Sequence, residues 1–476
     1  MTIPPLRLYD TRRRRLQQFT PLRPGQVGMY TCGPTVYGPQ HLGNMRSQLA
    51  PDLLRRVLLA MGLNVTYVTN ITDVGHLVSD ADEGDDKIEA AAARQGRSVA
   101  EITEHWTGQW AADRRRLGCL EPDVTPRATD YISEQIDLAR VLEGGGHTYL
   151  IDDGLYFDVA SFPRYADFAG LKLDDLVSTG RVEHQADKRH PADFALWKRS
   201  PADGRRLQEW DSPWGVGFPG WHLECSVMAT RHLGEQFDIH TGGVDHIRVH
   251  HTNEIAQSEA ALGVHPWVSF WMHNEFLDVA GEKISKSRGH ALVVDSLEER
   301  GIDPLAFRYF FLQAHYRQQQ AFTFDAVAAA GTALRRLTQH AVQARDAVGG
   351  EVGDVSAHAD ELRNAFWTAL ADDLNSPRAL SVASSVARDP ELSAGERWSL
   401  LADFDRVLGF DLATATDPEE VTDISADSRI AGRLAERQAA KAARDFATAD
   451  AIRTELATEG IEIIDTADGP IARRRS

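Results

Sequence analysis

Two short runs in this 476-residue sequence carry residue types suited to handling a phosphate chain. His41-Leu42-Gly43-Asn44 falls between a strand-like segment and a helix-like one. At a helix N-terminus, a histidine and an asparagine add side-chain donors to backbone amides that already favour anions. Far downstream, Lys283-Ile284-Ser285-Lys286-Ser287 sits in the glycine-flanked loop GEKISKSRG. There Lys283 and Lys286 can close over a triphosphate and neutralise the charge that develops during displacement. Each run alone also fits a helix cap or a solvated lysine loop. Their joint occurrence points to a nucleotide site.

A second constellation is Cys32, Cys225, His250 and Glu254. Two thiolates, an imidazole and a carboxylate make a chemically sensible tetrahedral zinc set, and the four-residue spacing of His250 and Glu254 puts them on one helical face. Read alone, the same residues also fit two buried cysteines and an exposed helical His/Glu pair. With only three cysteines, Cys32, Cys119 and Cys225, the chain has no disulfide framework.

The elements that must position these residues read as an α/β fold. VGMYTC alternates like a strand and ends at Cys32. A helix with an apolar stripe at Leu49, Leu53, Leu54, Val57, Leu58 and Met61 follows and closes at Gly62, and a second strand runs through NVTYVTNI. This order begins a Rossmann-type parallel sheet, with GPTVYGPQHLGN beyond the carboxyl end of its first strand. Residues from about 84 to 146 read as a helical insertion, and strand-like text resumes at TYLIDDGLYFDV. WHLECSVMATRHLG then reads as a helix, FDIHTGG as a strand and glycine loop, and HHTNEIAQSEAALG as another helix.

We place a catalytic domain at 1–287, a connecting domain at 288–325, an alanine-rich helical bundle at 326–411, an acidic linker at 412–427 and a small domain at 428–476. Hydrophobic residues at 42 % and charged residues at 25 % are ordinary for a soluble protein, and no apolar run approaches the ~20 residues that span a bilayer. The N-terminus has basic residues but no apolar core of a secretory signal, so we expect a cytoplasmic protein. A net charge of −19 argues against a generic nucleic-acid binder and leaves a localised RNA footprint open. The last 49 residues carry nine Arg or Lys against eight Asp or Glu, which makes them the least acidic surface for RNA.

The HLGN and KISKS runs resemble the two signatures of class I aminoacyl-tRNA synthetases, with Asn44 in place of the second histidine and Ile284 in place of methionine. YTCGPTVY, GWHLECS and HHTNEIAQS resemble the three zinc-ligand segments of cysteinyl-tRNA synthetases, and NITDVGH, DFALWK, DSPWG, FDIHTGGVDH and WMHN extend the likeness over almost the whole chain. The resemblance implies one zinc per chain on Cys32, Cys225, His250 and Glu254, and ATP with magnesium held by His41, Gly43, Asn44, Gly242, Gly243, Asp245 and Lys286. It places Cys32, Thr72, Trp221 and His240 around the cysteine, and His41, Asn44, Lys283 and Lys286 in catalysis. His240 also belongs to its adenosine loop. Thr252 departs from the pattern, where glutamate is frequent in the family.

The tail resembles an anticodon-binding domain, with Lys441, Phe446, Asp450 and Asp465 at the base-reading positions. The expected partners are cysteine, ATP and a cysteine-accepting tRNA, with no membrane and a monomeric chain. Two alternatives share much of this text: a ligase acylating an amino sugar, and a non-catalytic RNA-binding paralogue.

Overall fold

The structure is a computed structural model that describes residues 3–75, 86–170, 187–201, 206–279, 292–350, 356–417, 421–423, 427–442, 445–459, 461–466 and 469–475. The run from Lys283 to Ser287 lies outside the described residues.

An N-terminal hairpin, β1 (Arg7–Asp10) and β2 (Arg15–Gln18), precedes β3 (Gln26–Thr31). The chain then passes through HLGN into α1 (Leu42–Ala60) and returns as β4 (Asn64–Thr69), parallel to β3. Leu49, Leu53, Leu54, Val57 and Leu58 recur on one face of α1 and are all buried in the main core. Each such side chain contributes roughly 1.5–3 kcal/mol on burial, before ordering entropy is subtracted. Just past α1 the backbone turns at Gly62 with φ +81°, a conformation glycine adopts without strain.

Next come α2 (Lys87–Gln95), α3 (Val99–Arg116) and α4 (Ile132–Gly144), with α3 opened by a capping box between Ser98 and Glu101. TYLIDDGLYFDV forms β5 (Thr148–Ile151) and β6 (Gly154–Phe157), but these join β7 (Phe194–Arg199) and β8 (Gly217–Pro219) in a separate antiparallel sheet. The reason is local. Only Asp152 and Asp153 separate β5 from β6, and a two-residue connection permits antiparallel pairing alone. The material between the halves of the parallel sheet therefore includes a sheet of its own as well as helices.

The second half contains α5 (Trp221–Leu233), β9 (Phe237–Gly243), α6 (His250–Leu262) and β10 (Val268–Asn274). The parallel strands lie in the order β10-β9-β3-β4, so the winding direction reverses between β3 and β9. Ligands of such sheets bind beyond the strands' carboxyl ends at that reversal. Cys32 leaves the end of β3, Gly242 and Gly243 end β9, and the Thr31 and Thr241 hydroxyls meet 2.6 Å apart between them.

Beyond β10, β11 (Leu277–Val279) pairs in parallel with β12 (Gln320–Phe322), and α7 (Asp295–Glu298) and α8 (Pro304–Leu312) lie between them in sequence. The alanine-rich text forms α9 (Phe324–Ala347), α10 (Ala357–Ala371), α11 (Ser376–Arg388) and α12 (Ala394–Leu408). Inside this bundle Phe366 and Phe404 stack with centroids 3.8 Å apart, and its core is continuous with the apolar face of α1.

The stretch read as an acidic linker is not wholly irregular. Val421–Asp423 form β13, antiparallel to β15 (Gly469–Arg475), which also pairs with β14 (Ile461–Thr466). β-branched Val421 and Thr422 suit a strand, and an open sheet edge offers backbone partners that local acidity does not block. With α13 (Ser428–Ala442) and α14 (Phe446–Thr458), this C-terminal unit has a core of its own built on Ile430, Leu434, Ile452, Leu456, Ile461, Ile463 and Ala472. Among the described residues, no helix is long and apolar enough to cross a membrane.

Candidate active site and metal centre

Side chains from separate segments converge at the winding reversal. Cys32 follows β3, Cys225 lies in the second turn of α5, and His250 and Glu254 face the same way from the start of α6. One ligand atom from each of these four residues lies within 4.8 Å of the other three. The two sulfurs are 3.7 Å apart, and Cys32 Sγ is 3.8 Å from Glu254 Oε1. Ligands about 2.3 Å from a tetrahedral centre sit about 3.8 Å from one another, which is the spacing of the thiol pair. His250 Nε2 is 2.9 Å from Glu254 Oε1 yet lacks the direction of a hydrogen bond. The donor set fits zinc.

The electrostatics are those of a dry cluster. Burial pushes the Cys32 thiol well above its ordinary range, and the hydrogen bond it shares with Cys225 adds to the shift. Cys225 feels the same burial, but Cys32 and His250 beside it bring its thiol below the ordinary value. Burial opposes a charge on His250, yet Glu254 and Cys225 raise its pKa to about 10. Against the same burial, His240 and His250 hold the Glu254 carboxyl well below the usual carboxylate range.

Cys32 and Glu254 also belong to a second set with His240 and His251. His240 Nε2 is 2.9 Å from Glu254 Oε2, and its ring stacks 4.6 Å from Trp271. His240, which the resemblance gives to the substrate side, thus stands against Glu254 in the structure. His251 reaches Cys32 Sγ at 3.4 Å through Nε2 and His273 at 2.7 Å through Nδ1. Trp221, the first residue of α5, lies over His250 with ring centroids 4.3 Å apart. The buried Thr72 hydroxyl donates to Glu224 at 2.8 Å and accepts from Asn70 at 3.0 Å. Asn70 also accepts from the Gly33 amide at 2.8 Å, and a Cβ at Gly33 would fall 1.5 Å from the Asn70 carbonyl oxygen, so only glycine fits. Thr252 donates to the Ile247 carbonyl at 2.7 Å.

His41 is the N-cap of α1, its Nδ1 accepting from the Asn44 amide at 3.1 Å. Desolvation lowers its pKa, and a neutral ring that accepts at Nδ1 carries its proton on Nε2. The Asn44 side-chain Nδ2 donates to Gln40 Oε1 at 2.8 Å. A Cβ at Gly43 would lie 2.9 Å from His41 Nδ1, and one at Gly242 would lie 2.7 Å from His251 Cε1. Gly243 and the exposed Asp245 follow at the end of β9. The Leu292 carbonyl accepts from the Leu42 amide at 2.8 Å, which ties the chain downstream of the lysine run to the HLGN helix.

Asn70, Glu224, His251, His273 and Trp271 were not singled out from the sequence. All stand inside segments quoted for the resemblance, and for Asn70, Glu224 and His251 the signal was a polar residue within two positions of one already named. In the tail, Lys441 and Asp450 are exposed, whereas the side chains of Phe446 and Asp465 lie outside the described ones.

Residues 18–332 match the family described as tRNA synthetases class I (C) catalytic domain. A relative named cysteine–tRNA ligase 1 from Burkholderia lata is 46 % identical over 98 % of this chain and 96 % of its own length. A cysteine–tRNA ligase from Treponema denticola is 38 % identical over 97 % of this chain and 98 % of its own. Among solved structures, the methionyl-tRNA synthetase of Mycobacterium tuberculosis in complex with methionyl-adenylate covers 83 % of this chain and 92 % of its own, with TM-score 0.54 and 16 % identity. The agnB2 LeuRS–tRNA–LeuAMS complex of Agrobacterium radiobacter K84 covers 82 % of this chain and 84 % of its own, with TM-score 0.60 and 13 % identity. The structural likenesses carry the fold alone. With the family match spanning most of the chain and the curated relatives spanning nearly all of it, this chain belongs to the class I tRNA synthetases of the cysteine–tRNA ligase family.

Proposed function

We infer that the chain activates cysteine with ATP and transfers it to the 3′ end of a cysteine-accepting tRNA. The observation that carries this reading is the convergence of Cys32, Cys225, His250 and Glu254 at the sheet's winding reversal, beside the HLGN helix. These four residues would hold zinc. Zinc bound there supplies a soft Lewis acid that prefers a substrate thiolate to a serine hydroxyl, so selection against serine needs no editing step. Trp221, over His250, and Thr72 line the cysteine side of this site in the same reading.

The cysteine carboxylate attacks the α-phosphorus of ATP, which enters with magnesium, and pyrophosphate leaves. A terminal ribose hydroxyl of tRNA then takes the acyl group from cysteinyl adenylate and AMP departs. His41 offers its Nε2 proton to phosphate, and Asn44, Lys283 and Lys286 complete the charge stabilisation. Gly242, Gly243 and Asp245 hold adenosine. Rate enhancement is mainly positioning and electrostatics, with no side chain acting as a covalent nucleophile. The bundle and the C-terminal unit hold tRNA, and the enzyme works as a cytoplasmic monomer.

Incubating the pure protein with labelled cysteine, ATP and either tRNA or an amino sugar tests the assignment. Labelled cysteinyl-tRNA is expected. A labelled amino-sugar product alone, or no product with either acceptor, would overturn it.

A second experiment separates the two steps. The C-terminal unit has its own core, so removing residues from 428 onward should leave cysteine-dependent ATP–pyrophosphate exchange intact while weakening tRNA binding. In the intact protein that binding should weaken as salt rises, because phosphate contacts release counterions. Loss of exchange with unchanged tRNA affinity would remove the tail from RNA recognition.

A further inference from the structure

Among the described residues, two buried carboxylates lie where the bundle meets the catalytic domain. At the first, Asp52 of α1 accepts at Oδ2 from Arg308 of α8 at 2.7 Å and from Arg56 at 2.9 Å, and at Oδ1 from the Leu120 amide at 2.7 Å. Arg308 is fully buried and also donates to the carbonyls of Leu408, at the end of α12, and Leu117, after α3. Arg56 adds bonds to the carbonyls of Gly118 and Arg406. One ionic hub thus ties α1, the end of α3, α8 and the end of α12.

The backbones at this hub approach so closely that side chains are excluded. A Cβ at Gly118 would lie 2.7 Å from the Gly409 carbonyl oxygen, and one at Gly409 would lie 2.7 Å from the Arg308 guanidinium. Both glycines have positive φ, +68° and +69°.

At the second place, Asp373 lies in the turn between α10 and α11 with φ +58°, a conformation that costs a non-glycine residue and persists where its surroundings hold it. Its carboxylate accepts from the Tyr9 amide, the Tyr316 hydroxyl and Arg317 Nε, each at 2.8 Å. Its own amide donates to the Arg7 carbonyl at 2.9 Å. The end of β1 is tied to β10, the edge strand of the catalytic sheet. Asp10 accepts from the Trp271 amide at 3.1 Å, and the Thr11 amide donates to the Trp271 carbonyl at 2.9 Å.

We propose that Asp52 and Asp373 are positioning residues, two buried carboxylates that clamp the helical bundle at one angle on the catalytic sheet and so fix the path along which tRNA brings its 3′ end to the site. The proposal rests on the reading of the bundle as a tRNA platform. Neither residue reaches the nucleotide run or the converging thiols. Two separated charged anchors resist rotation of the bundle about its continuous apolar contact, which a non-directional hydrophobic interface alone would not.

Asp52→Asn and Asp373→Asn, with Arg308→Lys and Tyr316→Phe as milder variants, are assayed as full-length proteins for cysteine-dependent exchange and for tRNA charging. The distance distribution between labels at the exposed Glu235 and Ser385 is measured in parallel. Exchange should stay within about twofold of the parent, while kcat/KM for tRNA falls on the order of 10-fold or more and the distribution broadens, since small misplacements far from the chemistry cost that much. The milder variants should recover much of the charging. An unmoved distribution overturns the clamp. A broadened distribution with unmoved charging overturns the tRNA-platform reading, and the proposal with it. A parallel fall of exchange and charging marks residues that merely hold the fold and overturns it too.

Discussion

Cys225→Ser protein should be isolated with well under half the zinc of the parent, whose content should be about one per chain, and its cysteine-dependent exchange should fall by at least about 10². Cys225 is 1 % exposed, with its sulfur 3.7 Å from Cys32 Sγ and its thiol below the ordinary range in a dry cluster. A hydroxyl there is a far poorer donor to a soft ion, while its volume is nearly conserved, so the packing defect stays small. The competing explanation is a cysteine that simply fills core space. On that account Cys225→Ala would lose at most stability, with zinc and activity intact. Metal analysis joined to exchange kinetics decides: undiminished zinc in the serine variant, or full activity of metal-free parent, removes this residue from the metal site.

Lys286→Ala should slow cysteinyl-adenylate formation by on the order of 10² or more with cysteine affinity nearly unchanged. A positioned charge that acts mainly in the transition state affects turnover more than ground-state binding. The motivation is its place in GEKISKSRG, and the chain that follows, at Leu292, is hydrogen-bonded to the first residue of the HLGN helix at 2.8 Å. A solvated surface lysine would give little effect on substitution. Pre-steady-state adenylate formation with a parallel cysteine titration separates the cases, and a defect lying wholly in cysteine binding would take Lys286 off the catalytic roster.

The local elements of the parallel sheet were legible in the sequence because each carries its own period. The apolar stripe of α1 and the alternation of β3 are written within a few consecutive residues, and so is the helical face that joins His250 to Glu254. Long-range partners were not. The two-residue connection between β5 and β6 is local, but that β6 would also pair with β7 depends on strands some 40 residues apart, and periodicity carries no information about such pairing. Convergence of Cys32 with Cys225 came from the family likeness, since a gap of 193 residues is invisible to spacing rules. His240 precedes the glycines that end β9, and its 2.9 Å contact with Glu254, 14 residues on, is another pairing that local spacing does not carry.

The N-terminal strand matters to anyone shortening or re-engineering this chain. None of its residues was assigned a chemical task, so it looks disposable. A version begun at Met29, the next methionine, would keep Cys32, the HLGN run, both lysines and the tail. It would also discard Tyr9, Asp10 and Thr11, three consecutive residues that touch Asp373 in the bundle, Trp271 in the sheet and, through the Thr11 hydroxyl at 2.7 Å, His273 beside the thiol cluster. Such a trimmed protein would retain every reactive group but lose the first half of β3 and the brace between its two working ends, so expression boundaries for this chain are better drawn ahead of Arg7 than at the first residue with obvious chemistry.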